Sequence, residues 1–173
     1  MVELKVQDYN ENKKLFLETK IKLEEALGSD CLIEHVGSTA IPNMQGKNII
    51  DVLVGAENKN QFKEHLSVLE SFGFVPSINS NTTDIYRFLA SKKGETASGD
   101  VHIHLVVKNT DRFDDFIVLR DYLLASPQEA QEYSVFKQKL INSGISDRKD
   151  YKATKAKYVS ELILRAKEWG RQK

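Results

Sequence analysis

Asp51 is the first residue out of place in this sequence. It lies in Asn48 to Val54, a run otherwise made almost wholly of leucine and β-branched residues. As a strand, that run has two faces, Ile49/Asp51/Leu53 and Ile50/Val52/Val54, both apolar, so the spacing predicts a strand covered on both sides. An isolated carboxylate buried there costs several kcal/mol and must be paired, hydrogen-bonded or metal-bound. The packing alternative is a carboxylate accepting N–H groups from the Gly37-Ser38 turn. Both readings put Asp51 beside that turn.

A second polar intrusion is Asp100-Val101-His102-Ile103-His104. A period of two places Asp100, His102 and His104 on one face of a strand and Val101, Ile103 and Leu105 on the other. Two imidazoles two positions apart, with carboxylates near, suit a divalent metal or proton handling. The alternative is one hydrogen-bonded core histidine. Because the whole face is polar, metal or phosphate contact by at least one of the pair is the favoured reading.

Cations also interrupt apolar helix stripes. Lys155 falls in the seam of Tyr151, Tyr158, Leu162, Ala166 and Trp169, and Arg120 falls inside the stripe of Phe113, Phe116, Ile117, Leu123 and Leu124. A cation facing a core needs an anion, either a protein carboxylate or the phosphate or carboxylate of a ligand. The sequence leaves both open. Lys137, four after Tyr133 and beside Phe136, is a weaker third case that can simply flank its stripe. Between two strands, Gly37-Ser38 offers free N–H groups and a hydroxyl as a phosphate cradle, a common turn and a weak signal alone.

These residues need elements to hold them. A helix is expected over Asn12 to Leu27 with Gly28 as its stop, then a strand over Cys31 to Val36 running into Gly37-Ser38-Thr39, then the Asp51 strand. Asn60 to Phe72 has helical spacing and ends at Gly73. Ser77 to Thr83 reads as a loop. Asp84 to Ala90 and Val101 to Val107 read as strands joined by the long hairpin loop SKKGETASGD. Three helices follow. The first is capped by Thr110 or Asp111 and runs to Ala125. The second opens on Ser126-Pro127-Gln128-Glu129, a capping-box arrangement, runs to about Asn142 and stops at Gly144. The third opens at Ser146 or Asp147, continues to Trp169 and stops at Gly170. Strands first and helices last predict an α+β fold, a mixed sheet backed by helices with a C-terminal helical layer. We expect one domain over 1–173, with a sheet core over 1–108 and the helical layer over 109–173.

The chain has 173 residues, 40% hydrophobic and 29% charged, enough for a real core. Lysine and arginine (25) balance aspartate and glutamate (25), so the net charge is zero. That argues against a nucleic-acid coat or a membrane-surface binder and favours a small-molecule or nucleotide ligand. A single cysteine, Cys31, excludes an internal disulfide and fits a reducing compartment. The first residues lack a signal-peptide core, and no run approaches the roughly 18 apolar residues of a membrane span. A cytoplasmic protein is the expectation.

HVGSTAIPNMQGKNIIDVLV resembles the nucleotidyltransferase core of the polymerase-beta superfamily: a hydrophobic residue, Gly-Ser, a spacer, then a strand aspartate. EHVGSTAIP, the Lys47 to Asp51 strand entry, HIHLVV, LRDYLLASPQEAQEY and YKATKAKYV further resemble the GrpB family in order and spacing, over roughly residues 30 to 166. The resemblance implies Gly37-Ser38 at nucleotide phosphates and Asp51 as a ligand of magnesium or manganese. The superfamily places a second carboxylate two positions after the first and a third on a later strand. Here position 53 is Leu, and the later strand offers His102 and His104. Imidazole suits zinc, iron, copper or nickel better than magnesium.

Two functions follow as expectations. In the first, a nucleotidyl group moves from a nucleoside triphosphate to a small acceptor. Gly37, Ser38 and Thr39 hold phosphates, Asp51 with His104 or His102 holds the metal, and Arg120 and Lys155, with Arg87 as a further candidate, neutralise phosphate charge. In the second, a degenerate site binds a nucleotide or phosphometabolite without turnover. A blander third reading is a helical interaction domain whose polar sheet face is merely solvated.

Overall fold

The computed structural model describes residues 4–77, 83–92, 99–143 and 148–172. The element order is β1 (Lys5–Val6), α1 (Tyr9–Leu27), β2 (Leu32–Val36), a 3-10 turn (Ser38–Ala40), β3 (Gln45–Gly46), β4 (Ile50–Ala56), α2 (Lys59–Ser71), β5 (Val75–Pro76), β6 (Tyr86–Ala90), β7 (Val101–Val107), α3 (Asp111–Ala125), α4 (Pro127–Asn142) and α5 (Arg148–Arg171). It is the expected α+β arrangement.

Five strands form one mixed sheet in the order β2-β4-β7-β6-β5, and β1 and β3 make a separate two-stranded ribbon. β4 runs antiparallel to β2 and parallel to β7, and β7 pairs antiparallel with β6 as the hairpin reading expects. The registers Val36↔Asp51↔His102↔Ala90 and Glu34↔Leu53↔His104↔Phe88 put these side chains on one face. The opposite face carries Ile33, Ile50, Val52, Val54, Ile103, Leu105 and Leu89, packed against Phe16 and Leu23 of α1 and Phe62 and Leu69 of α2. Most of these are wholly buried, and each such side chain is worth roughly 1.5–3 kcal/mol relative to exposure. The Asp51 face is closed by α3 through Phe113, with Val36, Leu53, Tyr86 and Val106. A third cluster joins the segment after the Gly-Ser turn (Ala40, Ile41, Met44) to Leu123, Tyr133 and Leu162 of the three C-terminal helices. The helical layer therefore grips the turn that leads out of β2.

Element ends show where local chemistry overrode the expectations. α1 starts three residues early because Asp8 caps it, accepting from Asn10 N–H at 3.0 Å and Glu11 N–H at 3.1 Å. The capping box at Ser126 does not form: Ser126 makes no side-chain cap bond, and Glu129 reaches Arg165 Nη2 at 3.1 Å instead. The Thr110 cap does form, its hydroxyl oxygen accepting from Phe113 N–H. Gly170 is not a stop, since α5 continues to Arg171. In α3, Leu124 lies outside the packed stripe, 44% exposed. The tip of the SKKGETASGD loop, most of the Ser77–Thr83 loop, the Gly144 stop and the Ser146/Asp147 cap fall outside the described residues. Among the described residues no helix is long and apolar enough to cross a membrane.

Candidate functional site

Asp51 sits at the start of β4, and both imidazoles of β7 meet it. Its Oδ1 lies 3.2 Å from His102 Nδ1 and 3.3 Å from His104 Nε2. His104 Nδ1 in turn lies 3.0 Å from the Tyr86 hydroxyl. One proton arrangement satisfies the whole chain: Tyr86 O–H donates to His104 Nδ1, and His104 Nε2–H and His102 Nδ1–H both donate to Asp51. In that arrangement Asp51 engages His102 through Nδ1 and leaves its Nε2 to other partners. The Asp51 side chain is 24% exposed and that of His102 25%, so the cluster is open at one side. Burial pushes the Asp51 carboxyl upward, but hydrogen bonds from His102 and His104 outweigh it and hold the group below the usual carboxylate range.

The Gly37-Ser38 turn stands against this carboxylate, as both sequence readings required. Gly37 has φ +73°, and a Cβ built there would lie 2.9 Å from Asp51 Cγ. The turn is fastened from two sides. With its amide oriented so that the nitrogen faces the turn, Gln7 donates to the Ser38 carbonyl oxygen at 3.2 Å and accepts from Asn48 N–H at 2.9 Å. Ser38 Oγ lies 2.6 Å from where a Gly46 Cβ would stand, so β3 approaches it closely. Gln45 N–H donates to Ser134 Oγ of α4 at 3.2 Å.

Other expected contributors stand elsewhere. Thr39 is buried, with its hydroxyl 3.0 Å from His35 Nε2, so it braces the turn from beneath rather than offering a free hydroxyl. Arg120 forms the internal ion pair: Nη1 lies 2.6 Å from Glu34 Oε2, Nε lies 2.9 Å from Asp121 Oδ1, and Nη1 also donates to the His35 carbonyl oxygen at 3.4 Å. Its charge is matched within the protein. Arg87 pairs in register with Leu105, on the face opposite Asp51, because strand period two turns it away from Tyr86 and Phe88. Lys155 is half-buried on α5, near enough for its charge to weigh on Lys137. Lys137, the weakest of the three sequence cases, is the most buried cation among the described residues, 3% exposed.

The expected metal ligands are together, but as partners of one another. Among the described residues no group of three or more His, Cys, Asp or Glu side chains is arranged to hold a metal ion. Each nitrogen facing Asp51 carries a proton in the arrangement above, and a ligating nitrogen needs that lone pair. The cluster as it stands is a hydrogen-bonded relay. Leu53, where the superfamily has its second carboxylate, is wholly buried among Val36, Tyr86, Val106 and Phe113, an apolar setting that a carboxylate would not suit.

Sequence reasoning missed Gln7, Tyr86 and Gln45. Gln7 carries no pattern at all. Tyr86 was legible only once β6 was registered against β7.

A mixed sheet with a Gly-Ser turn beside a strand aspartate defines a nucleotidyltransferase-like fold. The structure of a cytoplasmic RNA terminal U-transferase shares it, with TM-score 0.52 and 17% identity over 78% of this chain and 41% of that one. Residues 3–165 match the family described as GrpB protein, and the chain belongs to that family. The glutamate-rich protein GrpB of Alkalihalophilus pseudofirmus is 30% identical over 161 residues, 90% of this chain and 91% of the relative. The crystal structure of the conserved protein GrpB from Enterococcus faecalis superposes with TM-score 0.80 and 25% identity, covering 96% of this chain and 99% of that one.

Proposed function

We propose that this protein binds a nucleoside triphosphate at the Gly37-Ser38 turn and transfers its nucleotidyl group to a small acceptor. One observation carries the reading: Gly37 abuts the Asp51 carboxylate, which also orients His102 through Nδ1. A carboxylate on Nδ1 fixes the tautomer and leaves Nε2 as a base. His102 Nε2 takes the acceptor's hydroxyl proton as that oxygen bonds to the α-phosphorus. The bond from the α-phosphorus to the bridging oxygen breaks, and pyrophosphate leaves. Gly37 and Ser38 hold phosphate oxygens, and Lys155 offsets their charge. The divalent ion implied by the family resemblance would neutralise charge on the triphosphate. The reading carries with it a cytoplasmic setting, where a lone thiol stays reduced.

A second reading, binding without turnover, is favoured by one specific feature, the apolar burial of Leu53. The two are separated by incubating the protein with each labelled nucleoside triphosphate and pooled small metabolites, with and without magnesium or manganese, and following pyrophosphate release. Product formation that Asp51→Asn abolishes supports transfer. Tight binding with no pyrophosphate in any arm supports the binder and sinks the transferase.

A further inference from the structure

Lys137 projects from α4 into an almost closed position, 3% exposed. Its Nζ donates to the Gln45 carbonyl oxygen of β3 and lies 4.8 Å from the Tyr133 ring centroid. Both partners are neutral. The charges that reach it are Lys155 from α5, which is like, and Asp51 from β4, which is opposite. Tyr133, whose own hydroxyl is pushed upward by burial and by Asp51, lies beside it, and Tyr158 of α5 stacks on Tyr133 at 5.5 Å between ring centroids. A buried ammonium is ordinarily matched by a contacting carboxylate. Here the contacting partners are a carbonyl and a ring, Lys155 adds a like charge, and Asp51, whose opposite charge reaches it, already accepts from two imidazoles. Among the described residues no carboxylate contacts Lys137.

We propose that Lys137, with Lys155, is a further binding residue of this site, supplying the counter-charge for the phosphate end of its ligand. The inference rests on the reading above that the ligand carries phosphates. At this burial a charge acts strongly across several ångströms of low-dielectric protein, so direct contact is not required. Burial, then Lys155, lowers the Lys137 amine to about 7, so the empty site holds it largely neutral in mild alkali. A polyanion arriving opposite it draws a proton onto Nζ.

Titration calorimetry near pH 8 tests this with ATP and with ADP, whose terminal phosphates are ionised there, in buffers of different ionisation enthalpy. The expected result is net proton uptake on binding by the unaltered protein. Lys137→Arg, which is permanently charged, should bind with that uptake lost, and Lys137→Met should bind at least about tenfold more weakly. Should the Met variant not fold, the proton count of the Arg variant decides. Ligand bound with uptake unchanged in Lys137→Arg overturns this inference and leaves the proposed function standing. Silence toward both ligands in the unaltered protein overturns both.

Discussion

Gly37 and Asp51, fourteen positions apart in sequence, touch so closely that a single methyl group on Gly37 would overlap the Asp51 carboxylate, 2.9 Å from its Cγ. The turn conformation, with φ +73°, and the lack of a side chain are needed together. Gly37→Ala therefore combines a cost of roughly 1–3 kcal/mol for a side chain at φ +73° and ψ −169°, a region essentially confined to glycine, with displacement of the carboxylate. Urea unfolding should show a loss of about 2 kcal/mol or more, and triphosphate binding should fail. An alanine variant that binds as tightly as the parent would detach the turn from the site.

Asp51→Asn keeps the shape and removes the charge that both imidazoles address. Transfer should fall by roughly 10²-fold or more, read as pyrophosphate release. Stability adds a second signature. The Asp51 carboxyl is depressed in the folded state, so its contribution is present above the ordinary carboxylate range and disappears as pH falls through the folded value. The acid limb of the unfolding curve should be shallower in the Asn variant, and an identical limb would contradict the hydrogen-bonded cluster.

Arg120 ties α3 to β2 through Glu34. Arg120→Ala leaves that carboxylate unpaired and should cost about 1–3 kcal/mol, between the exposed and buried limits for such pairs. Ligand affinity should stay within about threefold of the parent, under 1 kcal/mol. A large affinity loss at unchanged thermal stability would restore Arg120 to the ligand.

His35 stacks on Phe16, with ring centroids 4.6 Å apart, and its imidazole is lowered by burial to about 4. The unfolded chain, with an ordinary imidazole near 6.5, binds more protons between those values, so stability is complete above about pH 6.5 and declines toward pH 4. The shift corresponds to at most about 3 kcal/mol. His35→Phe, which keeps the stack and removes the titration, should flatten denaturant midpoints over that window. A slope equal to the parent's would assign the acid sensitivity elsewhere.

How much could be read in advance depended on the range of each interaction. Asp51, the Gly-Ser turn and the two histidines announced themselves as polar residues in apolar strands, and period two placed both histidines on one face. That same period would have placed Arg87 on the other face, had the register of β6 against β7 been known. The cations were ambiguous for a different reason. An apolar stripe reveals that a charge faces inward but not what meets it. Arg120 met Glu34, while Lys137 met a carbonyl and an aromatic ring. The Ser126 box failed because Glu129 found a stronger partner in Arg165, thirty-six residues away.

The sequence by itself determined the elements and the α+β order, because hydrophobic period and local turn chemistry act over a few residues. The order of its motifs carried the GrpB likeness, and a lone aspartate in an apolar strand pointed to the Gly37 turn. Only the tertiary structure decided which charges were paired inside the protein and which, among the described residues, met neutral groups instead. Partners for a buried charge are chosen by strand register and helix packing, which bring together residues dozens of positions apart.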